Sequence, residues 1–497
     1  MDQFPSSRLE EDLAAVEPLR RDEEDGSIPD VTMRLPTGRR NLYLAAFCAN
    51  LASVTTGCAM VWSSPSIPKM KAAGLIDDFQ ASWLTSLLAV GGVVGPFLSY
   101  RLIDKIGKRA TIILDMYLFI LSWALLGLAP VISSNLSTRL GVTVDQISIM
   151  YVARFLSGVG VGCSFMVIPL YIAEISDTHV RGSLGSLMSL FLCIGFLIEY
   201  CIGPYYSSSV LILASSVPPV LCLVAFMLIL PESPLFLLSK QDAEGANKSL
   251  QWLRERQDVY LEIVEIQKVL EETRTTSVAP WSQLVLNRRY LKCISYGMAL
   301  VFFQQLSGIN VVMFYCETIF RMSSSDLSSA ISTIIVGVVF TLAAVLAPLL
   351  TRRYSMKRLL FLSSISCCVF QGIVSGYFYL EQQKMEVKSF FWVPLSSIIF
   401  YLITYSIGLG PLPWAVMAEI FSPAIKSKGS AFTAAICWFF SFLLTEFFPL
   451  VSTSLGPAVC FAVFSGFCIV STVYVGLILP DTYGLTMAEI QTLLYGS

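Results

Sequence analysis

The stretch ISIMYVARFLSGVGVGCSFMVIPL, running from Ile147 to Leu170, carries one charged residue, Arg154, in twenty-four positions. A helix needs roughly 20 mostly apolar residues to cross a hydrocarbon core of about 30 Å, so this segment is long enough to span a bilayer. The same test run along all 497 residues selects eleven further stretches. The predicted spans cover 42–62, 83–103, 111–131, 147–170, 184–202 and 210–230, then 291–316, 330–350, 359–380, 390–417, 430–450 and 459–479. The expected fold class is all-α integral membrane, with twelve transmembrane helices in two six-helix halves.

Between and around the spans the composition changes. Residues 1–41 are polar and acid-rich (Glu10, Glu11, Asp12, Asp22, Asp25) and hold Pro5, Pro18 and Pro29, which predicts a disordered tail. No cleavable signal is visible in it, so the first span is expected to direct insertion. From 231 to 290 charges alternate with Leu250, Leu253, Ile263, Ile266 and Leu270, a pattern of short amphipathic helices. That segment is read as a linker between an N-terminal bundle, 42–230, and a C-terminal bundle, 291–479, with a tail at 480–497. The short loops set the orientation: with the N-terminus inside, inner loops hold eleven Lys and Arg residues and outer loops six. Both termini are expected in the cytoplasm and the chain in the plasma membrane. The sequon Asn135-Leu136-Ser137 then lies outside, where glycosylation can reach it, and Asn247-Lys248-Ser249 inside, where it cannot.

Composition excludes several function classes. The chain is 55% hydrophobic and only 14% charged, whereas a soluble domain carries roughly 25% charged residues. A net charge of -2 suits no nucleic-acid partner. The one histidine, His179, leaves Ser-His-Asp chemistry and His-based metal sites without their central residue. The thirteen cysteines sit in or at the edge of apolar stretches, as small buried residues do, and none has zinc-ligand spacing. No enzyme activity, cofactor or metal is expected. The implied surroundings are a lipid bilayer, and the chain is expected to be a monomer.

Charged motifs mark the inner ends of the spans. Asp104-Lys105-Ile106-Gly107-Lys108-Arg109 links the second and third spans. It reads either as a plain basic turn or as charges that pair with helix ends. Its counterpart six spans later, Arg352-Arg353-Tyr354-Ser355-Met356-Lys357-Arg358, is basic without the glycine or the acid, which suggests duplicated halves. Span four carries Arg154 and the small-residue face Gly158, Gly160, Gly162, suited to close helix approach. Arg154, Glu174 and Arg181 are expected to cluster at the inner membrane edge. Glu419 and Lys426 repeat the seven-residue spacing of Glu174 and Arg181.

These stretches, with Pro231-Glu232-Ser233-Pro234, Gln304-Gln305-Leu306-Ser307-Gly308-Ile309-Asn310, Gly408-Leu409-Gly410-Pro411-Leu412-Pro413-Trp414 and Pro480-Asp481-Thr482-Tyr483-Gly484, resemble the sugar-porter family of the major facilitator superfamily. Trp62-Ser63-Ser64-Pro65 and Ser82-Trp83 are most similar to its insect facilitated trehalose transporter group. The resemblance implies two bundles rocking about a central cavity, with Asp104, Lys108, Arg109, Arg154, Glu174, Arg181, Glu419 and Lys426 in charge networks that break and reform. It implies a sugar site at Gln304, Gln305, Asn310, Trp414, Ser189 and Trp438. Carboxamides both donate and accept, as sugar hydroxyls do. Buried at lipid depth they need partners, so they either face a wet cavity or bond between helices. Ser307-Gly308 is expected to break span seven, and Gly408, Gly410, Pro411 and Pro413 span ten.

Departures from the family pattern limit the substrate. Ser189 stands where a glutamine is common, Phe340 and Cys437 where asparagines are, and Met356 where an arginine is. Gly57-Cys58-Ala59-Met60 lacks the acid of proton-driven relatives, which favours facilitated diffusion of a hexose or a disaccharide such as trehalose. Asp115, Glu199 and Glu446 lie inside predicted spans. Interfacial placement is expected for the last two, over a proton site or an outer gate. Proton symport and a non-transporting sugar receptor are the alternatives.

Overall fold

The structure, a computed structural model, describes residues 39–140, 145–177, 180–275, 280–323, 327–351, 354–385, 388–422, 425–481 and 489. The acid-rich opening stretch, His179, Arg352, Arg353 and the run 482–484 lie outside the described residues. Among the described residues, twelve helices are long and apolar enough to cross a membrane. Spans 1 to 6 are Arg40–Ala72, Asp78–Ile106, Lys108–Asn135, Gln146–Ile175, Ser183–Ile202 and Ser208–Leu228. Spans 7 to 12 are Arg288–Phe314, Ser329–Leu346, Met356–Gln382, Val393–Ile420, Lys428–Ser454 and Pro457–Leu477. Four short helices, Pro234–Ser239, Ala243–Arg254, Tyr260–Thr275 and Trp281–Leu286, occupy the interval between the two sets of six. We call the end of the bundle that they sit on the linker side and the opposite end the far side.

Side chains at the helix starts account for many of the boundaries. Asp77 caps span 2 in a reciprocal box with Gln80, and Asp145, Ser207, Asn287 and Ser355 cap spans 4, 6, 7 and 9 by accepting first-turn N–H groups. Span 1 runs ten residues beyond its expected end because Trp62 stays helical at φ -49° and ψ -36°, carrying the chain through Pro65 and Pro68 to Ala72.

Small residues let the spans of the first half close on one another. A methyl group on Gly162 would sit 2.7 Å from Gly92 O of span 2, while one on Gly160 would sit 2.9 Å from the Phe119 ring of span 3. The three glycines of span 4 thus serve two neighbours, rather than the single face that their spacing suggested. Leu213, Leu228 and Leu477 are 68%, 77% and 81% exposed, on a surface whose natural solvent is lipid. All thirteen cysteines are free thiols.

The two halves meet along span 2 against span 11 and span 5 against span 8. On the far side, hydrogen bonds cross between them. Tyr200 OH donates to Met313 O at 2.8 Å, Ser63 Oγ to Phe314 O at 3.1 Å, and Glu317 N to Ser64 Oγ at 3.1 Å. Phe196 stacks on Phe340 at 6.0 Å. Further along the same face of span 5 toward the linker side, Ser189 is exposed and a Cβ on Gly185 would meet open space. The halves are joined on the far side and part toward the linker side.

Candidate functional site: a broken-helix interior and a linker-side charge cluster

Two of the spans that meet in the interior of the second half are broken where glycine and proline predicted. In span 7 the helix Arg288–Leu306 ends and Ile309–Phe314 begins after Gly308, whose φ of +83° is a left-handed turn. In span 10 the helix Val393–Ile407 gives way to Leu412–Ile420 across Gly408 to Pro411. The backbone groups freed by these breaks find partners. Ser307 O accepts from Gln371 Nε2 at 3.0 Å and from Tyr401 OH at 2.9 Å, and Leu409 N donates to Ser363 Oγ at 3.1 Å.

The three carboxamides of span 7 lie in this interior, with Gln304 4%, Gln305 5% and Asn310 6% exposed. Gln304 Nε2 donates to Leu409 O at 3.0 Å and Gly410 O at 2.6 Å, tying the amide to the break in span 10. Asn310 Nδ2 donates to Gln305 Oε1 and to Ser441 Oγ, both at 2.7 Å. Gln305 Nε2 donates to Cys437 Sγ at 2.9 Å, and the Cys437 thiol lies 3.9 Å from Gln304 Oε1. In this conformation, then, the amides bond between helices, which was one of the two readings left open. Cys437, Ser441, Tyr401 and Gln371 complete the network. Of these, Cys437 stands out in the sequence as a departure and Gln371 as a lone carboxamide in span 9, whereas lone hydroxyl residues on apolar spans carry no distinguishing pattern.

Of the aromatic candidates, Trp438 sits at the joint between halves. Trp438, 6% exposed, packs edge-on to Phe165 of span 4 at 5.8 Å and covers Gly92 of span 2, where a methyl would stand 2.6 Å from its ring. Trp414 is half-buried near the start of the helix Leu412–Ile420. Ser189 is exposed, and no described contact joins it to the amides.

On the linker side a compact charge cluster forms, with a membership different from the expected one. Lys108 Nζ pairs with Glu174 at 2.8 Å, and Ser233 Oγ donates to the same carboxylate. Glu232 Oε1 accepts from Lys108 N at 3.1 Å, and Oε2 from Arg109 N at 3.0 Å, so this carboxylate caps the start of span 3. Burial pushes the Glu232 carboxyl up, opposed by the N–H groups of Ser233, Arg109 and Lys108. The Arg109 guanidinium donates to Phe226 O at 2.9 Å and Met227 O at 3.2 Å. Glu232 and Ser233 join this cluster without having been expected there, although an acid directly before an N-capping serine and a proline is a usable signal in the sequence.

Several expected members are elsewhere. Arg154 does not reach the linker-side edge, because it stands twenty residues before Glu174 on one continuous helix, about 30 Å away at about 1.5 Å per residue. It is wholly buried toward the far side, donating to Leu84 O at 2.9 Å and Ala59 O at 2.8 Å, with its guanidinium 5.1 Å from the Trp62 ring centre. Arg181 is exposed and donates to Ser176 O at 3.3 Å rather than to Glu174. Asp104 is exposed and makes no ion pair among the described residues. Glu419 is half-buried and Lys426 exposed, and residues 423–424 between them lie outside the described residues.

Within the spans, the acids Glu199, Glu446 and Asp115 each have a partner. Glu199 stands near the far-side end of span 5 and is 0% exposed, inside the bundle; Ser215 Oγ donates to it and Arg154 is an electrostatic neighbour. Glu446 is half-buried and bridges the halves, accepting from Ser86 Oγ at 2.5 Å on its carboxylate and from Ser82 Oγ at 2.8 Å on its backbone. Asp115, 2% exposed, is bonded by Ser164 Oγ at 2.5 Å inside the first half, between spans 3 and 4.

Comparison with known proteins places this architecture among others. The family model of sugar (and other) transporters matches residues 41–494. The facilitated trehalose transporter Tret1 of Culex quinquefasciatus is 31% identical, with 91% of this chain and 86% of that protein covered. Tret1 of Anopheles gambiae is 30% identical over 98% of this chain, which spans 60% of that relative's length. In fold the chain is similar to the E. coli xylose transporter XylE in its inward open conformation, at a TM-score of 0.74 and 20% identity, covering 91% of this chain and 99% of that one.

Proposed function

Given that the chain belongs to the sugar (and other) transporter family, we propose that it carries a hexose or a disaccharide such as trehalose across a membrane by alternating access. The observation that carries this reading is the network of Gln304, Gln305 and Asn310, set between two broken helices in the interior of the second half. Each amide is already paired, so a sugar hydroxyl binds by exchanging with those partners instead of filling empty valences. Such exchange suits a carrier, which needs a site that releases its cargo as readily as it takes it. Because Gln304 also holds the carbonyls of Leu409 and Gly410, a sugar that engages it loosens the span 10 break at the same moment.

Gln304, Gln305, Asn310, Trp414 and Trp438 form the proposed sugar site, with Ser189 on the wall where the halves part. Lys108, Glu174, Glu232 and Ser233 hold the linker-side end of the first half together. The basic loops support a linker side facing the cytoplasm, with both termini inside and Asn135 outside; the plasma membrane and a monomeric chain complete the proposed reading. Uptake of radiolabelled trehalose and glucose into proteoliposomes tests the site. Gln305→Ala and Asn310→Ala are expected to lower it at least about ten-fold, the loss of one to two net hydrogen bonds. Wild-type uptake in both variants removes the assignment.

A second reading, proton-coupled symport, is favoured by one observation, the complete burial of Glu199 beside Arg154. It requires substrate-induced proton entry, and a flux indifferent to an imposed pH gradient sinks it. Facilitated diffusion remains the simpler account, since Gly57-Cys58-Ala59-Met60 on span 1 presents no carboxylate beside that pair.

A further inference from the structure

We propose that Cys437 is a positioning residue for sugar recognition: its thiol orients the Gln305 carboxamide yet holds it weakly enough for a sugar hydroxyl to displace it. This rests on the sugar reading above and concerns what sets the affinity of that site. The three amides are not equally committed. Gln304 Nε2 is shared between two carbonyl oxygens, at 3.0 Å and 2.6 Å, and Asn310 Nδ2 between a carboxamide and a hydroxyl oxygen, both at 2.7 Å. Each of those N–H groups meets a strong acceptor. Gln305 Nε2 alone donates to sulfur, at 2.9 Å, and a thiol is a weak acceptor.

Asn310 holds Gln305 Oε1, so the amide plane is fixed from the oxygen end while the nitrogen end faces a partner of little strength. A hydroxyl oxygen arriving there replaces a weak bond by an ordinary one, and the exchange favours the ligand. Cys437 is 5% exposed and turns toward Gln305 and Gln304, one residue before Trp438 on the same helix. An oxygen at this position would compete with the sugar for the same N–H.

The substitution series Cys437→Ser and Cys437→Ala separates this role from simple packing or direct contact. Serine keeps the size and supplies a strong acceptor, whereas alanine removes the acceptor altogether. Equilibrium binding of radiolabelled trehalose and glucose to the purified full-length protein should weaken about four-fold in Cys437→Ser, the order expected for exchanging sulfur for oxygen. In Cys437→Ala it should stay within about two-fold of wild type or tighten, since the Gln305 N–H is then free. Uptake measured alongside should show the serine effect in KM with the maximal rate preserved.

Equal weakening in both variants would mark a direct thiol contact and overturn the proposal, as would serine binding at or above wild-type strength. If sugar binds and Gln305→Ala abolishes it while the Cys437 series is flat, only the role of Cys437 falls. Absence of saturable binding in the wild type would instead remove the sugar reading, and this inference with it.

Discussion

Arg154 is the most demanding single side chain in the molecule, a guanidinium with no solvent exposure held in the interior of the first half. Burying it is tolerable only because backbone carbonyls of spans 1 and 2 accept from it, the Trp62 ring lies against it and Glu199 offsets its charge. Arg154→Met is therefore expected to cost about 3 kcal/mol or more, the loss of two hydrogen bonds from a charged donor to Leu84 O and Ala59 O. Arg154→Lys should not restore it, because one ammonium lacks the planar fork that reaches both Leu84 O and Ala59 O. Thermal unfolding of the detergent-purified protein measures both, and a melting temperature unchanged in Arg154→Met would show that the residue is dispensable to the fold. That Arg154 is in a span was legible from hydropathy; which neighbours satisfy it was not. The sequence places it near Glu174 in a motif, but helix rise separates them, and the carbonyls of Ala59 and Leu84 come from spans 70 to 95 residues away. Pairing across such distances leaves no trace in local pattern, whereas Lys108 and Glu174 could at least be placed on one side, since each stands at the linker-side end of its span.

At the scale of single elements, punctuation residues were the most readable. Ser307-Gly308 and the Gly408 to Pro413 run predicted two interruptions, and both helices stop there because glycine turns the chain and proline withholds an N–H. Span 1 departs from its expected bounds, since hydropathy ends it at Trp62 while the helix accommodates Pro65 and Pro68 and runs on to Ala72. Gly308 carries the sharper test. Its φ of +83° disfavours any side chain, and a methyl there would stand 2.5 Å from the Phe464 ring. Gly308→Ala should destabilise the second half by about 2 kcal/mol or more, from left-handed strain of about 1 to 2 kcal/mol and displacement of that ring. The damage should concentrate at the break, with uptake lost more completely than folded protein. Unimpaired uptake by this variant would show that the left-handed turn is not needed for the cycle.

Across the whole molecule, the closure of the far side is a balance that the proposed alternating access must undo in every turnover. Tyr200, Ser63 and Ser64 contribute neutral hydrogen bonds across the halves, while Ser86 gives a charge-assisted one to Glu446 at 2.5 Å. Charge-assisted bonds contribute about 1.5 to 3 kcal/mol, more than the neutral ones, so this contact weighs most in the conformational equilibrium. Each 1.4 kcal/mol is about a factor of ten in population. Ser86→Ala should therefore move the equilibrium roughly ten-fold or more toward a state open on the far side, while leaving each half folded, because the contact belongs to neither half alone. Hydrogen–deuterium exchange is expected to quicken at the far-side ends of spans 2 and 11, around residues 80–88 and 444–450, with the linker-side ends of both spans unchanged. Sugar applied from the far side should then bind more of the population at once, since the fraction competent to receive it scales the apparent affinity. If exchange at those ends matched the wild type, the Ser86–Glu446 contact would be incidental to closure, and the neutral bonds with the Phe196–Phe340 stack would carry it.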